Sequence, residues 1–478
     1  MKLVKSLLLG SAAGIAAVAG AQAADLPSRK AAPVEYVRVC TAYGAGFFYI
    51  PGTDTCLRVS GRVRAEYTVG TRFGDGQDGY GTRARGRLNI DARTATAYGT
   101  LRTFFRYELT NSSNFYNGAI GGNQGFVPPG FARTSQTSTA SNLDLAFVQF
   151  GPITAGRAQS FFDFYANDYT FSTLRTADSR LNLLAYTATF GSGFSATVSL
   201  EDRTTGTGQR ENGAFGRFNG AALALDGADF PDVVASLRVD QGWGSAQLSG
   251  ALTQRRSPSA AAAAGAFSLN TTTGVITQGP AVAAIQGGDE YGYAVQGGVK
   301  INLPMLAAGD VLVLQAAYAD GALGYLGWGG QYGSGRILSG TAANQFIIGD
   351  IGLDPVTGSV KTSTGWSLVA VLRHFWTPTL RSEFFGSYSE LKLGYSQPVG
   401  AYAAGAVQRP LDPKELIVGG NLIWSPVSGL DIGVEVLYTR TELASRVLAV
   451  NNSGGRVAGT TIKSDDAWAG RLRIQRDF

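Results

Sequence analysis

The chain has a single histidine and two cysteines in 478 residues. Metal centres are commonly built from clusters of imidazole and thiolate, and no such cluster is present. A Ser-His-Asp hydrolase would need His374 as its base. That residue stands at a strand end beside Phe375 and Trp376, with no G-x-S-x-G motif near it. No catalytic residue, metal ligand or cofactor site is therefore assigned. Charged residues make up 16%, below the usual share of about a quarter. The formal charge of +5 includes Lys2 and Lys5, and the small remaining excess makes no case for nucleic acid. Beyond the N-terminus no apolar run is long enough to cross a bilayer as a helix, and the alanines at 260–264 fall far short.

Glycine is abundant, with 65 residues, and aromatics reach 11%. One rhythm of strand and turn runs from about Leu57 to Phe478 without a linker or composition step, which favours one large closed sheet. The N-terminus has the form of a secretory signal. Lys2 and Lys5 precede an apolar stretch from Leu7 to Ala19, and Ala21-Gln22-Ala23 is a small-x-small cleavage site. The expected organisation is a signal peptide at 1–23, an N-terminal periplasmic segment at 24–56 and a barrel at 57–478. An exported chain with no spanning helix is either soluble or a membrane barrel. A barrel is the strand-built way to satisfy every backbone N–H and C=O in lipid.

Between Leu57 and Leu109 nearly every second residue is apolar. The intervening face carries Arg58, Arg62, Arg64, Arg83, Arg85, Arg87, Arg102 and Arg106. A period of two sends the two sets to opposite faces of a sheet. Sixteen antiparallel strands are expected, near 57–69, 82–94, 98–109, 142–151, 152–158, 181–190, 194–202, 232–240, 244–254, 290–301, 310–319, 363–375, 379–391, 414–424, 429–440 and 465–478. Short connections such as Gly151-Pro152 and Gly191-Ser192-Gly193 alternate with long ones at 70–81, 110–141, 159–180, 203–231, 255–289, 320–362, 392–413 and 441–464. Outer-membrane barrels sort their loops this way, with short periplasmic turns and long outer loops. The long loops, rich in Gly, Ser, Thr and Asn, read as solvated surface or folded loop. In the last strand Trp468, Gly470, Leu472, Ile474, Arg476 and Phe478 share one face, opposite Arg471, Arg473, Gln475 and Asp477. Phe478 is expected at the inner membrane–water interface and is read as an assembly signal.

Three stretches resemble the alphaproteobacterial general porin family. They are the segment from Glu35 to Arg64, with Cys40 and Cys56 inside it; Gly156-Arg-Ala-Gln-Ser-Phe-Phe-Asp-Phe-Tyr165; and Asp466-Ala-Trp-Ala-Gly-Arg-Leu-Arg-Ile-Gln-Arg-Asp-Phe478. The resemblance implies a sixteen-stranded transmembrane barrel, a homotrimer, and passive diffusion of small hydrophilic solutes across the outer membrane. Outer-membrane lipid, lipopolysaccharide and the barrel-assembly machinery are the partners expected with it. Loops 110–141, 255–289 and 320–362 carry no matching motif.

The segment 159–180 is expected to fold into the lumen, its aromatics on the wall and Asp163, Asp168 and Asp178 facing arginines across a narrow gap. The wall candidates are Arg62, Arg64, Arg83, Arg85, Arg87, Arg102 and Arg106. Arg471 and Arg473 join them if the last strand closes on the first. Stacked like charges need lumen water and counter-charges, for which Glu66, Asp91 and Glu108 are placed. Opposed charges on low-dielectric walls set up a strong transverse field. Export to an oxidising compartment favours a disulfide between Cys40 and Cys56; two buried thiols are the alternative. Gly74-Asp75-Gly76-Gln77-Asp78-Gly79 fits G-x-G-x-x-G but precedes a strand, so a dinucleotide reading fails and a plain turn is expected. Two other functions stay open: a channel selective for sugars, dicarboxylates or phosphate, and a barrel-borne adhesin or enzyme.

Overall fold

A strand with one apolar and one charged face needs an apolar medium on one side and water on the other. In the computed structural model the strands meet that need by closing into a cylinder. The structure describes residues 38–71, 79–113, 137–205, 214–218, 221–224, 227–257, 267–269, 276–278, 287–328, 348–353, 359–394, 397–398, 408–448 and 461–478. The signal peptide, residues 74–78 of the glycine-rich motif and the alanine run lie outside them.

The barrel strands are β1 (Cys56–Gly70), β2 (Tyr80–Thr96), β3 (Gly99–Ser113), β4 (Thr137–Phe150), β5 (Ile153–Gln159), β6 (Arg180–Gly191), β7 (Phe194–Glu201), β8 (Asp232–Gln241), β9 (Gly244–Ser257), β10 (Gly288–Asn302), β11 (Val311–Asp320), β12 (Thr364–Thr377), β13 (Leu380–Lys392), β14 (Lys414–Val427), β15 (Leu430–Leu448) and β16 (Thr461–Asp477). Each pairs with its sequence neighbours, and β16 returns antiparallel to β1 with Arg62 opposite Asp477 and Gly70 opposite Ala469. All sixteen expected strands are present. Several run further than the alternation suggested: β15 continues to Leu448 and β16 begins at Thr461, with Val447 opposite Ile462. Past the hydrocarbon zone both faces of a ribbon meet water, so the period-two signal fades while the hydrogen-bond ladder continues.

The outward face carries Val63, Tyr67 and Val69 on β1, Leu248 and Leu252 on β9, and Val434 and Val436 on β15, all exposed. Such a surface suits lipid and not water. Aromatic girdles flank it. Phe190, Trp243, Trp376 and Trp424 stand at the short-turn end; the Tyr438–Trp468 pair, with centroids 4.7 Å apart, stands toward the long-loop end. His374 belongs to the short-turn end, 2.6 Å from Asp310 Oδ2 and edge-on to Trp376.

At the seam Gly61 N–H donates to Phe478 O at 2.8 Å, and Phe478 N–H donates to Gly61 O at 3.0 Å. The Phe478 ring lies against Gly61: a Cβ there would stand 2.5 Å from its Cζ and 2.6 Å from Arg87 O.

The described residues up to Leu57, 38–57, belong to a compact unit of their own. Within it Cys40 and Cys56 are bridged, so the two-thiol alternative is not what the structure adopts. Phe47 is buried beside the bridge, and Cys40 N–H donates to Phe47 O at 2.9 Å.

Of the two readings of the long loops, solvated surface or folded loop, residues 321–328 and 348–352 of loop 320–362 take the second. A single 3₁₀ turn, Leu323–Leu326, and Trp328 are fully buried, as is Ile351. The turn is held by ion pairs too deep for solvent to compete: Arg255 to Asp350 at 2.7 Å and Arg203 to Asp232 at 2.7 Å, with Tyr325 Oη donating to Asp232 at 2.8 Å.

Candidate functional site

Alternation aims one set of side chains from every strand into the lumen, so the site is built from the wall inward. On β1–β3 the inward set includes Arg62, Arg64, Arg83, Arg85, Arg87, Arg93, Arg102 and Arg106, against three carboxylates, Glu66, Asp91 and Glu108. The carboxylates sit between the arginines. Glu66 takes Arg83 and, at 2.7 Å, Arg473. Glu108 takes Arg87 at 2.6 Å and Arg85 at 3.3 Å. Asp91 takes Arg93 at 2.8 Å and Arg102 at 3.0 Å. Arg62 pairs with Asp477 at 2.5 Å across the seam, and Arg64 donates to Gln475 at 2.9 and 2.7 Å. These pairings brace the guanidinium groups while leaving a surplus of positive charge on a half-exposed wall.

The opposite side of the lumen is filled by the segment 160–179. At its neck Ser160 N–H donates to Ser179 O at 2.9 Å. Glu201, fully buried, accepts from Ser160 Oγ at 2.7 Å and from Phe161 N–H at 3.0 Å. From there the loop is fastened round the wall by inward polar residues. Gln247 and Gln296 donate to Phe162 O, Gln315 accepts from Tyr165 N–H, and Glu435 accepts from Phe171 N–H at 2.7 Å. Arg175 is the strongest tie. It meets Glu415 at 2.6 Å, donates to Gly327 O at 2.6 Å, and lies 3.7 Å over the Trp328 ring. Phe164 packs where Gly298 has no side chain; a Cβ there would be 2.2 Å from its ring. Phe162 meets Tyr325 edge-to-face at 4.6 Å, so the two inward loops interlock.

The three aspartates do not share one role. Asp163 is 8% exposed and is turned away from the gap. Its Oδ2 accepts from Gln159 Nε2 at 2.5 Å and from Ser179 N–H at 2.7 Å, so it joins the two ends of the loop. Asp178 is held by Arg180 at 3.5 Å. Asp168 is exposed to the lumen and has no hydrogen bond or ion pair among the described residues. Partial withdrawal from water, reinforced by nearby Asp178, raises its carboxyl above the usual aspartate range, against the pull of Arg180, Lys300 and Arg373. Burial likewise pushes the Tyr165 phenol up.

Arg471 and Arg473 also need correction. The seam brings them beside Arg62 and Arg64, but both are only 8% exposed and lie beneath the loop, donating to Phe171 O. Arg473 stacks 3.9 Å over the Phe171 ring. They anchor the loop and do not face the open gap.

Sequence reasoning missed Glu201, Gln247, Gln296, Gln315, Glu415 and Glu435. Each is a polar residue at an inward position of a strand, and that parity was the available signal. It also missed Asp144. A bulge between Arg106 and Tyr107 on the β3–β4 register turns this residue inward, where it meets Arg180 at 3.3 Å and Arg106 at 3.4 Å.

The porin subfamily profile matches residues 25–471. Porin Omp2b of Brucella suis biovar 1 is 36% identical over 329 residues, covering 66% of this chain and 85% of that protein. Omp2b of Brucella melitensis biotype 1 matches with the same identity and coverage. The outer membrane channel DcaP of Acinetobacter baumannii, 14% identical, superposes with a TM-score of 0.55 over 90% of this chain and 99% of that one, a likeness of fold alone. Sequence relationship, barrel and braced aqueous lumen agree: the chain belongs to the alphaproteobacterial general porin family, outer-membrane barrels that form channels for passive diffusion.

Proposed function

We propose that permeants are sorted in the gap between the arginine face of β1–β3 and the loop at 160–179, that the gap favours small anions, and that three barrels associate as a homotrimer. The observation that carries this reading is the imbalance on β1–β3, eight inward arginines against three carboxylates of those strands with Asp144 and Asp477 reaching in from β4 and β16, facing a loop whose one exposed and unpaired carboxylate is Asp168. Fixed charges on low-dielectric walls raise the local concentration of counter-ions and orient dipolar solutes as they pass. Passage is diffusive and needs no chemical step. Trimerisation rests on family membership.

Planar-bilayer recording in a KCl gradient is the test. The wild-type reversal potential is expected on the chloride side. Asp168→Asn combined with Asp178→Asn is expected to move it further that way, and Arg85→Gln with Arg106→Gln to move it back. Reversal potentials that ignore both pairs of changes remove these residues from the constriction.

A further inference from the structure

Among the described residues, Phe104 and Phe147 are the two aromatic side chains at inward positions of β1–β4. They face each other across the β3–β4 register. Their rings stack with centroids 5.4 Å apart and planes 22° from parallel. Both are half-buried, in a stretch of wall that otherwise presents Asn89, Asp91, Arg102, Arg106 and Gln149. Phe147 also packs against the apolar cluster of Ala158, Leu181, Leu183 and Ala185. Arg102 reaches Asp91 through Nε and Nη2, both at 3.0 Å, and Gln149 through Nη1 at 3.1 Å. Arg106 is less fully used. Its Nε donates to Asn89 at 2.9 Å and its Nη1 reaches Asp144 at 3.4 Å, while Nη2 has no partner among the described residues. Its Cζ lies over the Phe104 ring at 5.4 Å, and that of Arg102 lies over both rings, 5.1 Å from the Phe104 centroid and 5.4 Å from that of Phe147, so charged donors stand over the aromatic pair.

We propose that Phe104, Phe147 and Arg106 form a wall subsite for planar aromatic carboxylates, which pack their ring against this half-buried aromatic pair and set their carboxylate on the open edge of Arg106. A flat ring beside a guanidinium offers apolar contact and a charge-assisted hydrogen bond together. An aliphatic carboxylate of similar charge can use only the second. The subsite rests on the channel reading and refines it: such solutes dwell on one side of the gap while inorganic anions pass freely.

The test is single-channel current through the refolded full-length protein at fixed KCl, with benzoate or acetate added at equal concentration. Benzoate is expected to reduce the current with a half-blocking concentration about tenfold below that of acetate. The difference is expected to collapse in Phe104→Leu with Phe147→Leu, to shrink in Arg106→Gln, and to persist in Phe384→Leu, which alters an exposed ring on the outer face of β13. Each variant is compared with its own current in KCl alone, so altered open-channel conductance does not confuse the result. Normal KCl conductance with benzoate and acetate acting alike overturns the subsite alone, as does discrimination that survives the double leucine change. A wild-type chain that conducts no KCl overturns the channel reading and the subsite with it.

Discussion

Arg175→Met should loosen the lumen loop without opening the barrel. The side chain is 5% exposed and its partner Glu415 is fully buried. Removing the guanidinium leaves that buried carboxylate without its Arg175 partner, forfeits the bond to Gly327 O, and unstacks Trp328. Breaking a buried pair from one side costs about 3–5 kcal/mol. Since the barrel ladder is untouched, that cost falls on loop docking, and the undocked population should rise on the order of a hundred- to a few-thousand-fold. Leu174→Cys provides the reporter. Leu174 is 4% exposed and both native cysteines are bridged, so a charged thiol reagent meets one new thiol that is shielded while the loop is docked. Labelling should accelerate by the same factor when Arg175→Met is added. It should slow again when Glu415→Met is added as well, because the buried carboxylate left without its guanidinium is gone. Equal labelling rates with and without Arg175→Met would refute the claim that this ion pair fastens the loop.

The raised carboxyl of Asp168 predicts a pH effect with a definite sign. As pH falls, Asp168 takes up its proton before an ordinary aspartate would, the loop loses negative charge, and chloride preference should rise in mildly acidic solution; reversal potentials of wild type and Asp168→Asn should differ near neutrality and converge as pH drops. Gly61→Ala places a methyl group against the Phe478 ring and the fixed carbonyl of Arg87, and should cost about 1–3 kcal/mol at the seam, read as a lower unfolding midpoint in detergent. An unchanged midpoint would show that the seam can relax.

Much of the barrel was legible because lipid and water enforce opposite chemistry on alternate residues. Thr100-Leu-Arg-Thr-Phe-Phe-Arg-Tyr-Glu-Leu109 shows two faces wherever the strand lies inside the membrane. The inward loop was legible as well, since aromatics crowded around Gly156–Tyr165 have no place in a solvated tip. What escaped notice depends on contacts between distant segments. Asp163 and Asp168 look alike in the sequence; only the closing of the loop neck onto Gln159 and Ser179 separates a structural carboxylate from an exposed one. Arg471 and Arg473 alternate like the other wall arginines, and only the seat of Phe171 covers them. The burial of Tyr325 and Trp328 goes with a hydrogen bond from Tyr325 to Asp232 and with the stacking of Trp328 under Arg175, contacts between distant segments that no local pattern announces. Asp144 was displaced by a one-residue bulge, invisible to a strict period of two.

The seam between β1 and β16 carries a kinetic consequence. Arg62 and Asp477 are separated by 415 positions, and no turn sets their register. Every other neighbouring pair in the cylinder is joined directly by a turn or a loop, whereas this one must wait for chain ends to find each other, among the slowest kinds of pairing. Until they do, two unpaired edges stand ready to capture foreign strands, so the last ladder to form is also the point at which folding and aggregation compete most directly.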